Sequence, residues 1–182
     1  VECCDISTAK PSSILNSHKI EKIDGIIGGP PCQGFSISGK RDPNDPRNKL
    51  YQNYMEYVKM LRPAFFVMEN VPNLASMEDG KILASIVSDF GKLGYRVNHK
   101  ILLASDFGVP QNRRRIIIVG IKNGKRDFNF PNPLQNPKVT TWDALSDLPE
   151  LDVIDGSKYN KKAMSAYQEI MRINSSGIWN HE

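Results

Sequence analysis

Apolar residues along this chain follow two rhythms. Short aliphatic runs bounded by Gly and Pro, Asp24 to Gly28 and Ala64 to Met68, predict two buried strands. Gly28-Gly29 reads as a tight exit from the first. Between and after these runs the apolar positions recur every three or four residues. Tyr51, Tyr54, Met55, Val58 and Leu61 predict a helix. Arg62-Pro63 should end it, because Pro disfavours the α conformation of the residue before it. Ile82, Leu83, Ile86, Val87, Phe90 and Leu93 predict a second helix, with Asp79 as its cap and Gly94 as its left-handed stop. Val97 to Leu103 and Arg115 to Ile121 predict two more strands around a Ser105–Arg113 loop. Glu2 to Ile6 reads as a strand end with Asp5 near its tip, and residues 8–22 as a loop or short helix. Residues 34–49, rich in Gly, Ser, Pro, Asn and charge, predict a long loop of the functional kind.

Strands alternating with amphipathic helices predict an α/β fold with a mixed, mostly parallel sheet and helices on both faces. The last two strands have no helix between them, so part of the sheet should be antiparallel. Beyond Lys122 the character changes. Phe130 to Pro137 is a Pro- and Asn-rich connector, Thr140 or Thr141 can cap a short helix, and residues 163–172 predict another.

Composition narrows the picture modestly. The chain has 182 residues, 40% hydrophobic and 24% charged, as expected of one globular domain. No run approaches the roughly 20 apolar residues of a membrane span, and no signal peptide is visible. A net charge of +4 is compatible with nucleic acid. The 3 cysteines suggest no disulfide framework, which favours an intracellular setting, and Cys3 and Cys4 read as packing residues. The 3 histidines lack zinc-ligand spacing, so no metal site is expected.

Candidate chemistry lies at the strand ends. In an open α/β sheet, the carboxyl ends of neighbouring strands open on one crevice. The first strand leads to Pro30-Pro31-Cys32-Gln33-Gly34-Phe35-Ser36, and the second to Glu69-Asn70-Val71. Gln111-Asn112-Arg113-Arg114-Arg115 precedes the last strand, and in extended chain Arg113 and Arg115 share a side. A thiolate, a carboxyl group and a fixed cation suit modification of a pyrimidine at C5. Sulfur adding to C6 makes C5 enamine-like. A carboxyl group at N3 and a guanidinium at O2 stabilise the charge that develops in the ring.

PPCQGFSISGKR, MENV and QNRRR resemble motifs IV, VI and VIII of the DNA (cytosine-5)-methyltransferases in identity, order and spacing. The likeness covers roughly residues 1–150. It implies a Rossmann-like methyltransferase sheet and methyl transfer from S-adenosylmethionine to C5 of cytosine in DNA, through a Cys–C6 adduct on a flipped-out base. By that resemblance Cys32 is the nucleophile, Glu69 the N3 partner and Arg115 the O2 contact, with Arg113 in support. Asn70 braces the Glu69 turn and Gln111 the Arg segment. Asp5, Ile6 and Leu50 touch the methyl donor, and Pro31 shapes the pocket wall. Gln33, Ser36 and Ser38 belong to a loop that closes over DNA, with Lys40, Arg41, Arg47 and Lys49 near phosphates.

The family's glycine-rich donor motif and its closing motifs have no counterpart here. The expectation is therefore a sheet incomplete at both ends. Residues 1–125 form a partial catalytic domain, and residues 126–182 a connector and the start of a target-recognition region. Such a piece should be inactive alone, and its parent monomeric, bound to double-stranded DNA, and cytoplasmic at the nucleoid, or nuclear in a eukaryote. A restriction-modification role fits the bacterial branch. Alternatives are a tRNA cytosine-5 methyltransferase and a catalytically dead nucleic-acid-binding domain of the same fold.

Overall fold

The computed structural model describes residues 3–31, 49–124, 126–148, 158–159, 161–173 and 178–179. At its centre lies β2 (Phe65–Asn70), in which buried Phe66, Met68 and Asn70 alternate with half-exposed Phe65, Val67 and Glu69. On one side β2 pairs in parallel with β1 (Gly25–Gly28). On the other it pairs antiparallel with β4 (Arg114–Lys122), which borders β3 (Tyr95–Leu103). The Asn123 N–H donates to Gly94 O and the Ala104 N–H to Arg113 O, so β3 and β4 also run antiparallel. Strands β1, β2 and β3 therefore point one way and β4 alone runs against them, the mixed, mostly parallel sheet that the missing crossover helix implies.

Helices α2 (Lys49–Leu61) and α3 (Lys81–Lys92) fall where the apolar spacing puts them. Both press their apolar stripes onto the same face of the sheet. Tyr54 and Val58 of α2, and Leu83, Ile86 and Phe90 of α3, form one buried cluster with Phe66, Met68, Ile116 and Ile118. The Phe66 and Phe90 rings meet at 4.2 Å, and Tyr54 meets Phe66 edge-on at 6.3 Å. Among the described residues, then, these two helices cover one face, where cover on both was expected. Strand β1 is correspondingly less buried than predicted. It is the edge of the described sheet, and Ile27, alternating away from the helices, is 76% exposed.

Local rules explain most element ends. Arg62 ends α2 in a left-handed conformation, φ 48°, with its N–H donating to Val58 O before Pro63. Gly94 turns the chain out of α3 at φ 87°. Asp79, the expected cap of α3, does not cap it. Glu78, Asp79 and Gly80 are successive left-handed residues, so the cap position falls on Gly80, which has no side chain to offer. The strand expected up to Ile6 is also absent over Cys3–Asp5. Asp5 instead builds a turn: its carboxylate accepts the Ser7 N–H at 2.8 Å and the Ser7 hydroxyl at 2.7 Å, and its carbonyl accepts the Ala9 N–H. Such short polar side chains offer the backbone an alternative to a ladder. Cys3 and Cys4 beside this turn are exposed, not packed. The region of residues 8–22 holds a short helix, α1 (Pro11–Ser17).

The chain divides into two compact units: residues 1–102 with 114–131, and residues 103–113 with 132–182. In the second, Lys138 pairs with Asp106 at 2.9 Å. Helix α4 (Thr141–Leu145) starts in a capping box, the Thr140 hydroxyl accepting the Asp143 N–H and the Asp143 carboxylate accepting the Thr140 N–H. The Thr140 hydroxyl also donates to that carboxylate at 2.6 Å, and with the Thr140 N–H it holds the Asp143 carboxyl below its ordinary range. Helix α5 (Ala166–Met171) is capped by Ser165, and its buried Gln168 accepts the Met164 N–H and donates to the Ser146 hydroxyl. Buried Asp147 pairs with Arg172. Two-residue strands β5 (Lys158–Tyr159) and β6 (Ile178–Trp179) pair antiparallel.

Gly120 stands opposite Phe66, and a Cβ there would run into the Phe66 ring. Gly120→Ala should therefore cost about 1–3 kcal/mol by overpacking. Denaturant unfolding checks this through a lowered midpoint at unchanged slope.

Candidate active site

The β1–β2 register aligns Gly28 with Met68, so the next residues, Gly29 and Glu69, stand side by side at the strand tips. A Cβ on Gly29 would lie 3.1 Å from Glu69 Oε2. Glycine leaves the carboxylate its space. Asn70, buried by strand alternation, donates from Nδ2 to Pro30 O at 2.9 Å and accepts the Val71 N–H at 2.8 Å. The Gly29–Pro31 turn is thus tied directly to the segment that carries Glu69.

Arg115 reaches the same spot from β4. Glu69 stands opposite Ile117, and Arg115, two residues along, shares that face and becomes the diagonal neighbour. Arg115 Nε lies 2.6 Å from Glu69 Oε1, and the same guanidinium donates to Arg114 O. The side chains remain 24% and 43% exposed respectively, so the pair contributes at most about 1 kcal/mol to stability. A carboxylate beside a guanidinium, both partly open to solvent, presents acceptors and donors side by side. That array suits the polar edge of a heterocycle.

Arg113 stands differently. The extended stretch needed to put it on the Arg115 side begins only at Arg114, and the Arg113 N–H donates to Gln111 O in a tight turn. Arg113 and Gln111 are exposed and belong to the second unit. Cys32, Gln33, Ser36, Ser38, Lys40 and Arg41 lie outside the described residues, as do Arg47 and most of the loop expected at 34–49. Lys49 opens α2.

The residues expected to touch a methyl donor do not form a site among the described residues. The Asp5 carboxylate is engaged with Ser7, which holds it below its ordinary range. Asp5, Ile6 and Pro31 are exposed and Leu50 is half-buried. Neither described cavity is lined by any of the four. No cluster of three or more His, Cys, Asp or Glu could hold a metal among the described residues. No helix there is long and apolar enough to cross a membrane.

Apolar spacing places Tyr54 on the buried face of α2 but gives no sign of its link to the strand tips. Its ring lies against Gly28, where a Cβ would come within 2.9 Å of Cε2. Its hydroxyl lies 3.0 Å from Val67 O and 3.2 Å from Ile26 O. Burial pushes its phenol far above the ordinary value, with Tyr95 adding to the shift, so it remains a donor. Only the Gly28-Gly29 pair hinted that something packs closely there.

Residues 1–181 match the family described as C-5 cytosine-specific DNA methylase. The chain belongs to that family. It is 42% identical over 165 residues to the Type II methyltransferase M1.HphI of Haemophilus parahaemolyticus, covering 88% of this chain and 44% of that one. It is 39% identical over 188 residues to the Type II methyltransferase M.DdeI of Desulfomicrobium norvegicum, covering 97% and 45%. A solved DNA modification methyltransferase encoded within an E. coli prophage superposes at a TM-score of 0.67 with 35% identity, over 85% of this chain and 43% of that one. The chain thus spans less than half the length of these relatives. In this member of the family, Glu69, Arg115, Asn70 and residues 29–31 meet at the strand tips.

Asn70→Ala removes the bonds to Pro30 O and from the Val71 N–H at a buried site and should destabilise the protein by about 1–3 kcal/mol. Hydrogen exchange checks the mechanism: the Val71 amide, bonded to Asn70 Oδ1, should exchange faster than amides in the middle of β4.

Proposed function

We propose that the protein carrying this chain methylates C5 of cytosine in double-stranded DNA, with Cys32 as nucleophile. The observation that carries the reading is the Glu69–Arg115 pair, with Asn70 holding beside it the turn that leads in sequence to Cys32. Family membership and the Type II methyltransferase relatives support it.

In this reading the Cys32 thiolate adds to C6 of an extruded cytosine and forms a carbon–sulfur bond. The ring electrons move towards N3 and O2. N3 takes up a proton in its hydrogen bond with Glu69, which also accepts from the 4-amino group, and Arg115 donates to O2, so the developing charge is neutralised. The carbon at C5 becomes nucleophilic and would take the methyl group as the donor's methyl–sulfonium bond breaks, leaving a neutral thioether. A base then removes the C5 proton, the C5–C6 double bond re-forms, and the sulfur departs. Asn70 keeps the two strand tips in register, and Arg113 and Gln111 support the arginine segment. S-adenosylmethionine is the donor class this chemistry requires, with Asp5, Ile6, Pro31 and Leu50 assigned to its neighbourhood. We assign Gln33, Ser36, Ser38, Lys40 and Arg41 to the DNA-closing loop, and residues 126–182 to a connector and the start of target recognition. A monomer working at the nucleoid, or in a nucleus, and paired with restriction completes the proposal.

The test uses duplex DNA carrying 5-fluorocytosine, which traps the adduct because fluorine at C5 cannot leave as a proton does. Full-length protein should form a denaturation-resistant complex with donor present, and Cys32→Ala should form none. Arg115→Ala should slow methyl transfer about a hundredfold or more while moving stability by less than about 1 kcal/mol. Methyl incorporation into tRNA but not duplex DNA would overturn the substrate assignment, and an adduct surviving Cys32→Ala would overturn the nucleophile.

A further inference from the structure

We infer that Tyr54 is a positioning residue for the reaction, setting the spacing between the Gly29–Pro31 turn and the Glu69 carboxylate. The inference rests on the function proposed above and names a residue outside its reacting set.

Tyr54 is a buried side chain of α2 that reaches two strands at once. Its hydroxyl has one proton, and two carbonyls compete for it: Ile26 O at 3.2 Å and Val67 O at 3.0 Å. These belong to adjacent parallel strands. Val67 precedes Glu69 by two residues, and Ile26 precedes the Gly29–Pro31 turn by three. The Tyr54 ring closes the arrangement by lying against Gly28, the last residue of β1. Strand β1 is only four residues long and forms the edge of the described sheet, so its ladder holds it weakly. A donor shared between β1 and β2 restrains the sliding of one tip past the other, the motion that would separate the turn from Glu69. Proximity effects are steep in distance, so small slippage here slows covalent chemistry without weakening DNA binding.

The mutational contrast uses a second buried hydroxyl. Tyr95 donates to Pro63 O at 2.7 Å, at the opposite end of β2, before that strand begins. Tyr54→Phe and Tyr95→Phe each delete one buried hydroxyl and keep the ring. A purely structural role makes them equivalent. A positioning role does not.

The experiment measures adduct formation by full-length protein on 5-fluorocytosine duplex DNA with S-adenosylmethionine, well below the unfolding temperature, together with non-covalent DNA affinity. Tyr54→Phe should slow the adduct step about ten- to a hundredfold, with DNA affinity unchanged, while Tyr95→Phe stays within about twofold of the parent. Amides of Ile26 and Gly28, which the parallel register turns towards β2, should exchange faster in Tyr54→Phe alone. If the two variants slow alike, or Tyr54→Phe reacts at the parent rate, the inference is overturned and the functional reading stands. If the parent protein forms no adduct, the functional reading is overturned and the inference falls with it.

Discussion

The alternation of β2 is the constraint on which the rest depends. In a strand, successive side chains go to opposite faces, and a slip of one residue exchanges them. Phe66 and Met68 fill the core beneath α2 and α3, and that burial fixes the phase. Asn70 must then point inward, where it meets Pro30, and Glu69 must point outward, where it meets Arg115. The chemistry at the strand tip follows from packing in the middle of the strand. The aromatic contacts around Phe66, and the empty space at Gly120 that admits its ring, therefore act on the site from within the core.

The two polar contacts at this tip serve different ends. Asn70 is buried and bonded to backbone on both its Nδ2 and its Oδ1, so its value lies in geometry. Glu69 and Arg115 are partly solvated, so their mutual attraction is weak and neither is locked away from a third partner. A site that must accept a base needs that division. One residue keeps the strand ends together, and two others stay available.

Rules acting within a few residues were legible in the sequence. Arg62-Pro63 ends α2, Gly94 ends α3, and Thr140 starts α4, each through a backbone preference carried by the residue itself. Errors arose where two local preferences compete. Asp79 has the chemistry of a cap, yet the left-handed residues around it move the helix start to Gly80. Asp5 looks like the end of a strand, yet Ser7 draws its carboxylate into a turn. The motif order indicated that the Pro30-Pro31 turn and Glu69 share a region, but not the bonds that hold them. The bond from Asn70 to Pro30, like those from Tyr54 to Ile26 and Val67, depends on strand register and helix docking, which no short window of sequence contains.

The capping box of α4 carries a consequence for acid tolerance. With its folded pKa lowered by Thr140, the Asp143 carboxylate contributes its stabilisation fully above the ordinary aspartate value and loses it only as pH falls through the lowered one. This five-residue helix is too short to persist on propensity alone, so protonation of Asp143 weakens its start.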